Sequence, residues 1–254
     1  MITIAGKILS AQEAETGYAD GSIEKTVVKA MSASAAVYRF RSADSLNFEL
    51  RLRGALVAAS RELFRSGLGF AVFREAKCNP EFWDRTAEGG FLLKSGVSPA
   101  EAILNIYQSG GSYATECATA MMIVSYKALL QLYGPSLFDR TFPKIELMDW
   151  HHIDPLLREV GFVKKRFEYF PGDRRYFANP DVDPLTPQWQ GENVIELGGD
   201  RYYGHGIGIR SAESILRSLD ANRISGADEA ARLLDAAGRP DFQRLAEVTE
   251  NSRS

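Results

Sequence analysis

The stretch Ser109-Gly110-Gly111-Ser112-Tyr113-Ala114-Thr115-Glu116-Cys117-Ala118-Thr119-Ala120 constrains this chain most. A glycine pair breaks the backbone, and an apolar helix starts just beyond it. From Cys117 the apolar positions Met121, Val124, Ala128 and Leu132 recur at helical spacing. Gly134-Pro135 is a terminator pair, so the helix is expected to stop there. Upstream, Ser98-Pro99-Ala100-Glu101 has the form of a capping box with proline at the first helical position. Two helices therefore meet at one glycine hinge, and the second carries a thiol in its opening turn. A thiol there lies near the positive end of the helix dipole and near unpaired backbone N–H groups. Both favour the thiolate, the nucleophilic form, and the same N–H groups suit an oxyanion at an attacked carbonyl. Free cysteine is also among the most buried residue types, so a plain core role competes with this reading.

Elsewhere the pattern divides into helices, then strands, then helices. Residues 1–40 are weakly patterned, with Ile2, Ile4 and Ile8 suggesting an edge strand and residues 33–40 another extended piece. Phe48, Leu52, Leu56, Ala59 and Leu63 recur at steps of three and four, on a helix entered at Ser42 or Asp44 and ending at Ser66-Gly67. Arg51, Arg53, Arg61 and Arg65 fall largely on its other face, which reads as solvated rather than as a nucleic-acid surface. Phe70 to Phe73 reads as a short strand and residues 82–93 as a hairpin through Gly89-Gly90. Residues 144–150, 162–170 and 175–178 continue a strand-rich section. Residues 194–197 and 201–209, joined by Gly198-Gly199-Asp200, make the clearest hairpin, with Gly204, Gly206 and Gly208 on one face, where a closely packed helix is expected. Residues 211–219, 226–237 and 242–248 are expected to be helical and 251–254 frayed. The order predicts one α+β domain over residues 1–254, with a mostly antiparallel sheet and flanking helices.

Composition narrows the function classes. A net charge of −3 over 254 residues points to neither nucleic acid nor an anionic membrane. Two cysteines, Cys78 and Cys117, are too few for a disulfide scaffold and suit a reducing compartment. The start has no basic segment followed by a long apolar one, so no signal peptide is expected, and no apolar run is long enough for a membrane span. Among the three histidines, His151 and His152 are adjacent in an acidic segment, but nothing else stands at ligand spacing, so no metal is expected. No cofactor fingerprint, P-loop or G-x-S-x-G elbow occurs. What remains is Cys117 ahead of the sheet, with Glu192 and His205 on the sheet section behind it, a layout like that of papain-like enzymes.

Three segments carry a resemblance: Tyr113 to Ala120, Gln188-Trp189-Gln190-Gly191-Glu192-Asn193-Val194-Ile195, and Tyr203-Gly204-His205-Gly206-Ile207-Gly208. Asp149-Trp150-His151 and Phe48-Glu49-Leu50-Arg51-Leu52-Arg53 add to it. Together they resemble the bacterial spore-coat transglutaminases, the protein-glutamine γ-glutamyltransferases. The resemblance implies a papain-like core and a metal- and calcium-independent enzyme without cofactor. It also implies glutamine- and lysine-bearing protein substrates in the spore coat, and a location in the mother-cell cytoplasm and the coat. By position it puts the nucleophile on Cys117, its partner carboxylate on Glu192, a partly redundant carboxylate on Glu116, and substrate-tunnel aromatics on Phe70 and Trp189.

The residue types fit that reaction. Transfer of a proton from Cys to Glu at reference pKa values of about 8.5 and 4.3 is uphill by ~6 kcal/mol. Burial raises a carboxyl by as much as ~3–5 units and closes most of that gap. Trp189, three positions before Glu192, supplies an apolar wall that also excludes water from a thioester. His205 is the rival base, with a core or supporting role as its competing reading. Without the resemblance, Phe70 and Trp189 read as core aromatics and Glu116 as a first-turn helix carboxylate. A cysteine amidase or peptidase on the same core, and a non-catalytic coat scaffold, remain open alternatives.

Overall fold

The computed structural model describes residues 1–252. Its N-terminal layer, weakly patterned in sequence, is regular: β1 (Ile2–Ile4), β2 (Lys7–Leu9), α1 (Ala11–Glu15), α2 (Ile23–Ala33) and β3 (Tyr38–Phe40). There β1 pairs antiparallel with β2 and parallel with β3. Its small core is completed by Leu46 and Leu50 of α3 (Ala43–Arg65) and by Phe170. The two-residue β4 (Gly69–Phe70) follows α3, shorter than the strand expected over Phe70 to Phe73. The hairpin β5 (Trp83–Arg85) and β6 (Phe91–Leu93) and the helix α4 (Pro99–Gln108) come next, where expected.

Ser42 caps α3 reciprocally with Ser45, and Ser98 accepts from the Glu101 N–H at the start of α4. Asp139 accepts from both Ser98 Oγ and the Ala100 N–H at 2.7 Å, tying the start of α4 to the far end of α5. The glycine break after α4 has a steric cause. A Cβ at Gly110 would stand 2.3 Å from the Ser66 carbonyl oxygen, so only glycine lets the two turns pass. Then β7 (Ala114–Thr115) runs straight into α5 (Cys117–Thr141), which is interrupted at Gly134 just before Pro135, where the helix was expected to stop. Nearly every residue of α5 up to Leu130 is buried, the mark of a central helix rather than an amphipathic surface one.

After β8 (Glu146–Leu147), the strands β9 (Arg174–Ala178), β10 (Gly191–Gly198), β11 (Arg201–Gly204) and β12 (Gly208–Arg210) precede α6 (Ala212–Asp220), β13 (Arg232–Leu233) and α7 (Phe242–Asn251). The main sheet has the order β12-β11-β10-β9-β13, every pair antiparallel. Alternation sends Ile195, Leu197 and Tyr203 into the large core with α3, α4 and α5. Phe177, Val194 and Tyr202 go to the opposite side, against Ile215 and Leu219 of α6.

Four expectations are corrected. Residues 226–237 are not a helix, because the free edge of β9 recruits Arg232 and Leu233 as β13. Residues 162–170 contain no named strand; Phe162 and Phe167 are exposed aromatics, and only Lys164 bridges to Ala237. The strand expected over 201–209 ends at Gly204 and reverses through Gly206, with φ of +97°, into β12. Arg53 is not on a solvated face. It is 0% exposed, with ion pairs to Asp173 at 2.9 Å and Glu49 at 2.9 Å. Of the expected frayed tail, Asn251 closes α7, while residues 253 and 254 lie outside the described residues.

Candidate active site

The pairing of β4 with β7 builds one side of the site. Gly69 aligns with Ala114 and Phe70 with Thr115, so Phe70 is delivered beside the start of α5. Glu116 is the N-cap, an unusual choice, and its carboxylate accepts from the Ala118 N–H and, at 2.7 Å, from the Thr119 N–H. Two of the first-turn donors that suited a thiolate or an oxyanion, those of Ala118 and Thr119, are therefore taken by Glu116. Burial raises the Glu116 carboxyl, against the lowering effect of those hydrogen bonds.

Cys117, the first residue of α5, is part-buried and free. Its thiol is pushed up to about 12, by burial first and then by the carboxylates of Glu192 and Glu116. This upward shift runs against the expectation of a thiolate favoured by the helix dipole. Asn193 opposes the shift: its side-chain N–H donates to Cys117 Sγ at 3.5 Å. The Asn193 Oδ1 accepts from Arg174 Nη1 at 2.6 Å.

Glu192 precedes Asn193 on β10 and is 5% exposed. Burial, and then the charge of Glu116, raise its carboxyl well above the usual carboxylate range. Its Oε1 is buried with no hydrogen-bond partner. A cavity of about 200 Å³ opens beside it, lined by Phe70, Gln188, Trp189, Glu192, His205, Gly206 and Ile207. Phe70 is 42% exposed, whereas Trp189 is half-buried and packs against the smaller core around Phe177; both line this cavity.

A part-buried thiol, two carboxyls raised by burial and an aromatic-lined cavity thus meet at the start of α5, and the comparisons with known proteins show which family carries this chain. The profile of the protein-glutamine gamma-glutamyltransferase family matches residues 1–249. This chain belongs to that family. A protein-glutamine gamma-glutamyltransferase of Bacillus mycoides (strain KBAB4) is 42% identical over 225 residues, 88% of this chain and 80% of that relative. One from Bacillus cereus (strain B4264) is 41% identical over 229 residues, 90% of this chain and 82% of the relative. Among solved structures, a transglutaminase from Geobacillus stearothermophilus, without its C-terminal extension, superposes with a TM-score of 0.77 at 45% identity. It covers 82% of this chain and 98% of its own. The fold is the α+β, papain-like arrangement of the transglutaminases, and the activity class is acyltransferase.

Within this transglutaminase fold the expected site residues come together. Cys117 carries the charge influence of both Glu192 and Glu116, while Glu192, Phe70 and Trp189 share one cavity. His205 stands behind Phe70: Nε2 meets the Gly69 carbonyl at 3.0 Å and Nδ1 meets the Tyr203 hydroxyl at 3.4 Å. Burial lowers its pKa, which keeps the ring neutral. Both ring nitrogens are thus engaged by groups other than the sulfur. Cys78 lies apart, its thiol raised by burial and directed at the Trp83 carbonyl at 3.8 Å. His151 and His152 are exposed, and among the described residues no group of three or more His, Cys, Asp or Glu side chains is gathered as a metal would need. Sequence reasoning missed Asn193 and Arg174. Asn193 stood inside the quoted Glu192 motif, but its partner depends on strand register, which no local pattern reports.

Proposed function

We propose that Cys117 attacks the side-chain carboxamide of a protein glutamine, and that Glu192 moves the protons. The observation that supports this most is the pairing of a part-buried thiol with a buried carboxyl of raised pKa and one unpartnered oxygen. Glu192 as carboxylate takes the Cys117 proton, and the thiolate adds to the carboxamide carbon. The C–N bond then breaks, and the leaving nitrogen takes that proton from Glu192 and departs as ammonia. A thioester on Cys117 remains.

The second half reverses the order. Glu192, again a carboxylate, accepts a proton from an incoming lysine ammonium. The free amine attacks the thioester, the C–S bond breaks, and the amine's second proton returns to the sulfur. Glu192 releases its proton to solvent, leaving an isopeptide bond. The part of the Coulomb penalty that Glu192 imposes on the thiol vanishes at transfer, because Glu192 becomes neutral as Cys117 becomes charged. Phe70 and Trp189 flank this path and exclude water, the competing acceptor of the acyl group. Glu116 holds the helix start and supplies a second carboxylate beside the sulfur. The substrates proposed are spore-coat proteins bearing glutamine and lysine. The Bacillus and Geobacillus relatives support that assignment.

The test is incorporation of a fluorescent primary amine into extracted spore-coat protein. Wild-type enzyme should label discrete coat proteins and Cys117→Ala none. Equal labelling by both proteins would reject the assignment.

A further inference from the structure

A carboxamide presents an oxygen acceptor at one end and an NH2 donor at the other, and a half-turn of the side chain exchanges them. At Asn193 this ambiguity is removed by a neighbour. Arg174 Nη1 lies 2.6 Å from Asn193 Oδ1, and a guanidinium has donors only. The oxygen is thereby committed to Arg174, and the NH2 must face Cys117 Sγ, 3.5 Å away.

Arg174 is itself immobilised. Its Nε donates to the Val160 carbonyl at 2.7 Å, its guanidinium lies 4.6 Å from the centre of the Trp150 ring, and its backbone pairs with Gly238 in both directions. It is buried, yet it makes no ion pair among the described residues, whereas the other two buried arginines, Arg53 and Arg175, each have a carboxylate. A buried cation without a counter-ion is costly. Burial lowers Arg174 to about 10, and the charge of a Cys117 thiolate is the largest that opposes this. Of the first-turn N–H groups, those of Ala118 and Thr119 are occupied by Glu116.

We infer that Asn193 is a further catalytic residue, whose carboxamide NH2 stabilises the Cys117 thiolate as it forms. Arg174 is then a positioning residue that fixes the carboxamide and places its own charge behind it. This rests on Cys117 being the nucleophile. The arrangement stabilises the anion from β9 and β10 while leaving Glu192 free to carry the proton.

The experiment compares Asn193→Ala, Asn193→Asp, Arg174→Met and Arg174→Lys with wild type. It reads kcat and KM for a glutamine donor, together with the pH dependence of iodoacetamide alkylation at the Cys117 peptide. Removing a preorganised donor at a developing charge costs about 10²–10³ in kcat. Asn193→Ala should show that loss with KM nearly unchanged, and its alkylation midpoint should move to higher pH. Arg174→Met should move both readouts the same way, and Arg174→Lys should restore part of each. Asn193→Asp keeps the shape and the contact with Arg174 but lacks the NH2, so kcat must fall even if the alanine variant misfolds. Normal kcat and an unmoved midpoint in Asn193→Ala or Asn193→Asp overturn the inference. Cys117→Ala, assayed alongside, separates the two levels. If it stays active, the parent reading fails; if it is dead while Asn193→Ala is normal, only the role of Asn193 fails.

Discussion

Gly204, which pairs with Val194 across β11 and β10, lies so close to Glu192 that a Cβ at position 204 would stand 2.7 Å from Glu192 Oε1. Where a packed helix was expected against Gly204, the nearest atoms belong instead to Glu192, the proton carrier of the proposed mechanism, and to Ile207. Gly204→Ala should leave a folded protein, because the obstructing atoms belong mainly to a movable side chain, but it should displace the carboxylate. Misplacing a reacting group by about 1 Å can cost ~10²-fold. Steady-state kinetics should therefore show a fall in kcat of that order, with near-wild-type circular dichroism. Unchanged kcat would mean that the position of Glu192 is not critical.

Glu192→Gln should separate activity from stability. General acid–base help is worth about 10²–10⁴-fold, and kcat should fall within that range. Glu116→Gln should cost less, and the double variant more than either. Burial raises the Glu192 carboxyl in the folded state, so the fold binds its proton more tightly than the unfolded chain does. Stability from this group is therefore full at acid pH and is lost as pH rises through the raised folded pKa. The amide carries no such penalty, so at neutral and alkaline pH Glu192→Gln should melt higher than wild type. The same titration sets the acid limb of the kcat profile. That limb should disappear in Glu192→Gln and persist in His205→Gln, whose ring burial already holds neutral.

Trp189→Ala tests the cavity wall. Trp189 and Phe70 border the space beside Glu192, and opening it admits water to the thioester. The ratio of ammonia released to amine incorporated should rise, even where total turnover falls. A constant ratio would show that water is excluded by other groups.

A stability prediction follows from Asp173, which is fully buried between Arg53 at 2.9 Å and Arg239 at 2.6 Å. Burial raises its carboxyl, but the two guanidiniums outweigh this and hold it below the usual range. Its stabilising contribution is present above the unfolded pKa and is lost as pH falls through the depressed folded value. Removing one partner of a buried ion pair costs about 3–5 kcal/mol. Asp173→Asn should show a loss of that order in urea unfolding at neutral pH, and less at strongly acid pH.

Much of this fold is legible in the sequence because it is written in local chemistry. The recurrence from Phe48 to Leu63, the Ser98-Pro99 cap and the Gly134-Pro135 break each specify an element through neighbours three or four residues away. Residues 226–237 misled for the opposite reason: helix-compatible residues were recruited by the free edge of β9, a partner more than fifty positions upstream. Arg53 looked solvated because its carboxylate, Asp173, is 120 residues distant. The site divides in the same way. Cys117, Glu192 and the cavity aromatics lie in recognisable motifs, whereas the contact of Asn193 with the sulfur and with Arg174 exists only once β9, β10 and α5 are assembled. Burial and the charges of Glu192, seventy-five residues away, and Glu116 raise the thiol, which the helix dipole alone could not reveal.

The most direct test of the central claim is to trap the acyl-enzyme. Wild-type protein is mixed with a glutamine-bearing peptide in the absence of amine, quenched in acid, digested and analysed by mass spectrometry. The account predicts an adduct of peptide minus ammonia on Cys117, removed by hydroxylamine and absent from Cys117→Ala. An adduct on another residue, or ammonia release by Cys117→Ala at the wild-type rate, would contradict it.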